Sequence, residues 1–200
     1  MAEHAVDLTA LAHLATPGRR GRGAGAAGVS LSLVRDRATA IVIARKGQIP
    51  ALAAAVREAY GVALPEGPRC AGAPVMFAGI GHGQWLAFKA GGSDGAAFEA
   101  ELRARLGGTA SISDQTDARV AIRAGGAHVR DMLAKLVPLD LDARAFPVGS
   151  AASSLLGHIS ATVLRSDQSP DFEILVSRSY AESLWRAMVL SGTEYGIDVA

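Results

Sequence analysis

Cysteine is nearly absent: the 200 residues contain one, Cys70. A single thiol cannot close an internal disulfide or build a thiolate metal site, so a reduced, cytoplasmic setting is expected. Charge of one sign is lacking too. Lys and Arg number 20 against 19 Asp and Glu, for a net charge of +1. That balance removes the electrostatic argument for nucleic acid as the main partner. Long hydrophobic runs are missing, since charge or glycine interrupts each within about ten residues, short of the roughly 20 a membrane helix needs. No membrane partner is expected. The first residues, Met-Ala-Glu-His, do not give a basic start followed by an apolar stretch, so no export signal is expected. Lysine is scarce beside arginine, 3 against 17, while alanine occurs 40 times. Such a bias fits a GC-rich genome and points to no function.

The apolar share is large. Hydrophobic residues make up 50% and the mean hydropathy is +0.23, enough to build a core and to exclude a mostly disordered chain. At this length one domain of packed layers is the prior. Residues 1–28 stand apart as an expected flexible N-terminal arm. A short helix is predicted at 7–15, but 16–28 (TPGRRGRGAGAAG) is so rich in glycine that no regular structure is expected there.

From residue 29 the pattern is dense. VSLSLV (29–34) and TAIVIAR (39–45) read as strands. Ile49, Leu52, Val56 and Tyr60 share one face of a helix over 48–60, ended by Gly61. VMFAGI (75–80) and QWLAFK (84–89) read as strands joined by a Gly81-His82-Gly83 turn. A helix over 95–106 carries Phe98, Leu102 and Leu106, and a strand follows at 109–115. The order β-α-β-β-α-β is the ferredoxin-like one. It then recurs: strand 119–124, helix 127–137, two strands within 153–165, strand 171–177 and helix 179–195. The predicted fold is α+β, a single domain over 29–200 made of two ferredoxin-like halves, about 29–115 and 116–200.

Candidate chemistry is sparse. The glycines at 79–83 lead into another strand, whereas a phosphate loop leads into a helix N-terminus, so a hairpin is the better account. His4, His13, His82, His128 and His158 show no metal-ligand spacing, and Cys70 has no neighbouring base to activate it. No nucleophile elbow is present. Catalytic, cofactor-binding and metal residues are therefore expected to be none. Asp114 and Asp140 suit turns in which the side chain bonds its own backbone. Trp185, with Tyr180 and Tyr195, suggests a docking face on the last helix.

Four segments carry a resemblance: SISDQTDARVAIRAGG (111–126), MLAKLVPLDLDARAFPVGSAASSLLGHI (132–159), DFEILVSRSYAESLW (171–185) and, more weakly, GQWLAF (83–88). They resemble the gamma-subunit family of heterotetrameric sarcosine oxidases, over about residues 40–195. That family is in turn similar to the folate-binding part of glycine-cleavage aminomethyltransferases. The positions that carry the likeness are Asp114, Gln115, Gly125, Asp140, Phe146, Pro147, Gly149 and Gly157.

The resemblance implies a scaffold without its own active site or cofactor. In such a complex sarcosine is oxidised to glycine, hydrogen peroxide forms and a one-carbon unit passes to tetrahydrofolate. FAD, FMN, NAD and zinc would sit in the alpha, beta and delta partner subunits. The alternatives are a stand-alone folate-binding or one-carbon transfer protein, the equivalent subunit of a related N-methyl amino acid oxidase or dehydrogenase, and a plain interaction module. A pocket lined by Asp114, Asp140 or Glu173 would favour the stand-alone role.

Overall fold

In strand β3 (Arg37–Ala44) alternate side chains point to opposite sides, and both sides are largely buried. One face needs a helical cover and the other needs a second sheet, and the computed structural model, which describes residues 11–166 and 171–200, supplies both. On the helical side lie α1 (Ile49–Tyr60) and α2 (Gly95–Leu106). Leu52 and Val56 of α1 and Phe98, Leu102 and Leu106 of α2 pack onto Ala40 and Val42. Proline in the first turn and Gly61 at the end bound α1, and the Asp94 side chain accepts a hydrogen bond from Ala97 N at 2.9 Å to start α2.

The first sheet is completed by β4 (Cys70–Ala71), β5 (Val75–Gly81), β6 (Gln84–Ala90) and β7 (Ala110–Asp114), in the order β4-β5-β6-β3-β7. Without the two-residue β4 this is the ferredoxin-like arrangement. The second sheet contains β1 (Gly18–Arg20), β2 (Val29–Leu33), β8 (Arg119–Gly125), β9 (Ser150–Leu156), β10 (Ile159–Arg165), β11 (Phe172–Ser177) and β12 (Ile197–Val199). Their order is β1-β12-β2-β8-β11-β10-β9. Helices α3 (Val129–Ala134) and α4 (Ala181–Gly192) cover its outer face through Met132, Leu133, Leu184 and Met188. The inner faces meet through Leu86, Phe88, Ala151, Leu164 and Leu175. The layers therefore run helices, sheet, sheet, helices. The fold is α+β with two sheets, as the sequence predicts.

Several expectations need correction. The strand at 29–33 does not join the first half. It inserts into the second sheet, parallel to β12 (Ile197 opposite Val29) and antiparallel to β8 (Leu31 opposite Ala124). Its backbone occupies the place where strands four and one of a ferredoxin-like half would otherwise pair. The stretch 16–28 does hold regular structure, because β1 pairs with the open edge of β12, Arg19 opposite Asp198. An unpaired edge offers free N–H and C=O groups, and those outweigh the poor strand propensity of glycine. Leu11 and Ala15 lie buried in the adjoining core. Of the predicted helix at 7–15, residues 7–10 lie outside the described residues, and 11–14 form a turn. The last helix is broken at both ends: 178–180 and 193–195 are 3₁₀ turns flanking α4.

Candidate functional site

The layer between the sheets is apolar in its middle and charged at one end. Arg37 opens β3, and Arg123 and Glu173 face each other across the β8–β11 ladder. Arg37 Nη1 donates to Glu173 Oε2 at 2.5 Å, and Arg123 Nη2 donates to Oε1 at 3.2 Å. The Arg37 and Glu173 side chains are only 10% and 7% exposed. The Arg37 guanidinium also lies over the Phe88 ring, 4.6 Å from its centroid. This triad borders a cavity of about 260 Å³ whose wall includes Pro74, Met76 and Ser166.

Beside it opens a larger cleft of about 630 Å³. It is bounded by the β2–β3 turn, the turn before β8 and the end of β11. Four arginines line it, Arg35, Arg37, Arg119 and Arg178, together with Asp36 and Asp117. Its apolar surface comes from Leu33, Val120 and Leu175. The turn that forms one wall is held by the residues of the resemblance. Asp114 Oδ1 accepts from Thr116 N at 2.8 Å, and Thr116 Oγ1 accepts from Thr39 N at 3.0 Å. Gln115 N donates to Thr39 O at 2.8 Å, while its side-chain Nε2 donates to Asp114 O at 2.9 Å. Asp114 N in turn donates to Glu99 Oε2 at 2.9 Å. The Glu99 carboxyl is held below its usual range by Arg103, then by that backbone N–H.

Arg119 is the unusual member. Partial burial pushes its guanidinium below the ordinary arginine range. Its Nε is buried without a hydrogen-bond partner. Sequence reasoning missed Arg37, Arg119 and Arg123. The signal for two of them is present in RVAIR (119–123), whose period of two puts Arg119 and Arg123 on one face of the strand.

The remaining residues of the resemblance shape loops and line neither cavity. Gly125 ends β8 opposite Ser30. Asp140 Oδ1 accepts from Asp142 N at 2.9 Å, closing a side-chain turn after α3. Phe146 is buried against Phe172, ring centroids 6.2 Å apart, and its carbonyl accepts from Arg165 Nη1 at 2.8 Å. Pro147 O accepts from Ser150 N at 3.1 Å. Gly149 has φ 84°, a left-handed conformation that glycine adopts without strain. It bonds Arg165 O at 2.6 Å and Cys70 N at 2.8 Å, tying one sheet to the other. Gly157 turns β9 into β10 and its N–H reaches Leu136 O at 2.9 Å.

The three aromatic residues expected on one docking face do not share one. Trp185 is 3% exposed and belongs to the core, which corrects its assignment as a contact residue. Helix α4 places it, with Leu184 and Met188, toward the sheet, where an indole ring buries the most apolar area. Tyr180 is 57% exposed. Tyr195 is half-buried and stacks on His128, ring centroids 4.9 Å apart. On the far side of the molecule, Gly81, His82 and Gly83 form the β5–β6 hairpin turn and border a third cavity of about 610 Å³ with Trp85. Among the described residues no group of three or more His, Cys, Asp and Glu could hold a metal ion. None of their helices is long and apolar enough to cross a membrane.

Two sheets stacked between helix pairs define a chain of the aminomethyltransferase fold. The glycine cleavage system aminomethyltransferase T of Bartonella henselae matches 86% of this chain with a TM-score of 0.63 at 16% identity. The chain spans 47% of that protein's length. A chain of the heterotetrameric sarcosine oxidase of Corynebacterium sp. U-96, solved in complex with pyrrole 2-carboxylate, is similar over more of the molecule. It matches 94% of this chain and 95% of its own length, with a TM-score of 0.77 at 23% identity. No curated protein matches by sequence. The family model of the sarcosine oxidase gamma subunit matches residues 45–194, and the chain belongs to that family.

Proposed function

We propose that this chain is a non-catalytic gamma subunit of a cytoplasmic, heterotetrameric, flavin-dependent sarcosine oxidase, docking on and stabilising the larger subunits. The match of the gamma-subunit family over residues 45–194 carries this reading. Likeness of fold to a chain of a solved heterotetrameric complex, along nearly its whole length, supports it. The holoenzyme would convert sarcosine to glycine, forming hydrogen peroxide and passing the one-carbon unit to tetrahydrofolate. FAD, FMN, NAD and zinc would belong to the alpha, beta and delta subunits. The geometry here is in keeping with a scaffold: the family-motif side chains bond backbone, fill the core or turn loops.

A stand-alone folate-binding role draws on one observation, that Glu173 lines a cavity. Both of its carboxylate oxygens are taken by Arg37 and Arg123, so it is not free to hold a pterin or accept a proton. Asp114 and Asp140 line neither that cavity nor the larger cleft.

Co-expression with candidate alpha, beta and delta chains, followed by size-exclusion chromatography with flavin absorbance, tests the proposal. The chain is expected colourless alone and co-eluting with a yellow, sarcosine-oxidising assembly. Elution apart from that assembly, with tetrahydrofolate bound by the chain alone, would reverse the reading. A panel of N-methyl amino acids assayed on the assembly would identify its substrate.

A further inference from the structure

The outer strands of a sheet leave a row of N–H and C=O groups without partners. Three of the four sheet edges here are covered or blunted by the chain itself. Along β7, Asp114 N donates to Glu99 Oε2 at 2.9 Å and Ile112 O accepts from Arg103 Nη2 at 2.7 Å. β4 has two residues, and Cys70 N donates to Gly149 O at 2.8 Å. β1 has three residues, two of them arginines. The fourth edge, β9, is covered over its first part only, where Ala151 N donates to Pro68 O at 2.9 Å. That bond aims the Ala151 N–H away from β10, its partner strand. Alternation along an antiparallel strand then aims the N–H and C=O of Ser153 and Leu155 the same way. Among the described residues neither a strand nor an isolated bridge pairs with them on that side.

The open part carries no charge. Ser153, Ser154 and Leu155 stand where a protected edge would place lysine or proline. Leu155 shares a strand face with Ala151, which packs between the sheets, yet Leu155 is 52% exposed. Beside Ser153 lies the cavity of about 610 Å³, whose wall at Pro68, Gly79, Ile80, Gly81 and Ala152 is apolar or bare backbone. Ser153 Oγ donates to Ile80 O at 3.5 Å, which brings the end of β5 against β9. Glycines and small side chains let another main chain approach closely.

We propose that the open half of β9 receives an extended segment of a partner subunit, which adds to the second sheet as a further strand. Its main chain bonds Ser153 and Leu155, and one of its alternate side chains, apolar and uncharged, enters the cavity beside Ile80. Main-chain bonds supply the attraction, and the cavity selects the side chain. This inference rests on the subunit role proposed above and names a surface that role would use.

Hydrogen–deuterium exchange of the full-length chain, alone and in the co-expressed assembly, tests it, with fragmentation that resolves the β9 amides. The Ser153 and Leu155 amides are expected to exchange freely in the chain and at least about tenfold more slowly in the assembly. Ala151, already bonded to Pro68, should change little. An assembly that co-elutes while Ser153 and Leu155 exchange as before would overturn the added strand and leave the subunit role standing. Failure to co-elute at all would overturn both. Slow exchange in the chain alone, with a doubled mass at higher concentration, would assign the edge to a second copy and overturn the partner segment. Leu155→Lys gives β9 the charge that protected edges carry. It should melt as wild type, because the side chain is half exposed, and need at least about tenfold more partner for the same co-elution. Leu155→Met keeps an apolar side chain and should co-elute as wild type. Undiminished co-elution of Leu155→Lys would overturn the proposal. The exchange comparison uses no variant, so it decides the matter if Leu155→Lys does not fold.

Discussion

Arg37 and Glu173 come from different sheets and meet at 2.5 Å, with both side chains almost withdrawn from water. The pair joins the layers where the apolar interface ends, and Arg123 supplies the second donor. Such a group contributes less by its own attraction than it costs to leave half of it behind.

Glu173→Ala is therefore expected to lower unfolding free energy by about 3–5 kcal/mol, because it strands Arg37 in a dry site. The double change Arg37→Met with Glu173→Leu should lose less than Glu173→Ala alone, since Arg123 is 43% exposed and can turn to water. Urea denaturation of the three proteins measures this. A single variant within about 0.5 kcal/mol of wild type, the range of ordinary surface changes, would contradict it.

Trp185 and Tyr180 should separate stability from docking. Trp185→Ala empties a core position and should cost about 3–5 kcal/mol in the chain alone. Tyr180→Ala removes an exposed ring, so stability should change by less than about 0.5 kcal/mol. Under the proposed subunit role, Tyr180→Ala should weaken co-elution with the partner chains. Thermal melts beside chromatography would show the opposite pattern if Trp185 were a contact residue.

Tyr60 sets an alkaline limit. Burial at the end of α1, and then the charge of Glu101, push its phenol from 10.0 up to about 12. A group whose native pKa is raised favours its protonated form in the fold. Its stabilising contribution is complete below pH 10 and is lost as the pH climbs toward about 12. Tyr60→Phe should remove that part of the decline, and a tyrosinate absorbance step near 12 should vanish with it. An unaltered absorbance titration in Tyr60→Phe would refute the assignment.

Asp114→Ala should cost about 1 kcal/mol by leaving Thr116 N without its acceptor. Amide exchange at Thr116 and Gln115 should speed up while the helices stay protected. Uniformly faster exchange through β3 and β7 would mean that Asp114 supports the sheet as a whole rather than the turn.

Much of the architecture was legible locally. Helices 48–60 and 95–106 and strands 75–80 and 84–89 follow from apolar spacing over a few positions, the same range over which a helix or hairpin makes its contacts. The family likeness was legible for a similar reason, since its densest block, from Pro138 to Ile159, is one continuous run of turn-forming and core residues. The candidate site was not. RVAIR placed Arg119 and Arg123 on one face of a strand, yet only the stacking of two sheets decides whether that face meets water or a protein wall.

Sequence alone determined most of the helices and strands, such as those at 48–60, 95–106, 75–80 and 84–89, because those choices rest on neighbours a few residues apart. Tertiary structure alone decided that β2 enters the second sheet and β1 closes on β12, because strands pair wherever free backbone groups remain. It also turned Trp185 inward and brought Arg37 to Glu173 across 136 residues of chain. Charge pairing and burial follow distance in space, and no local pattern of residues carries that distance.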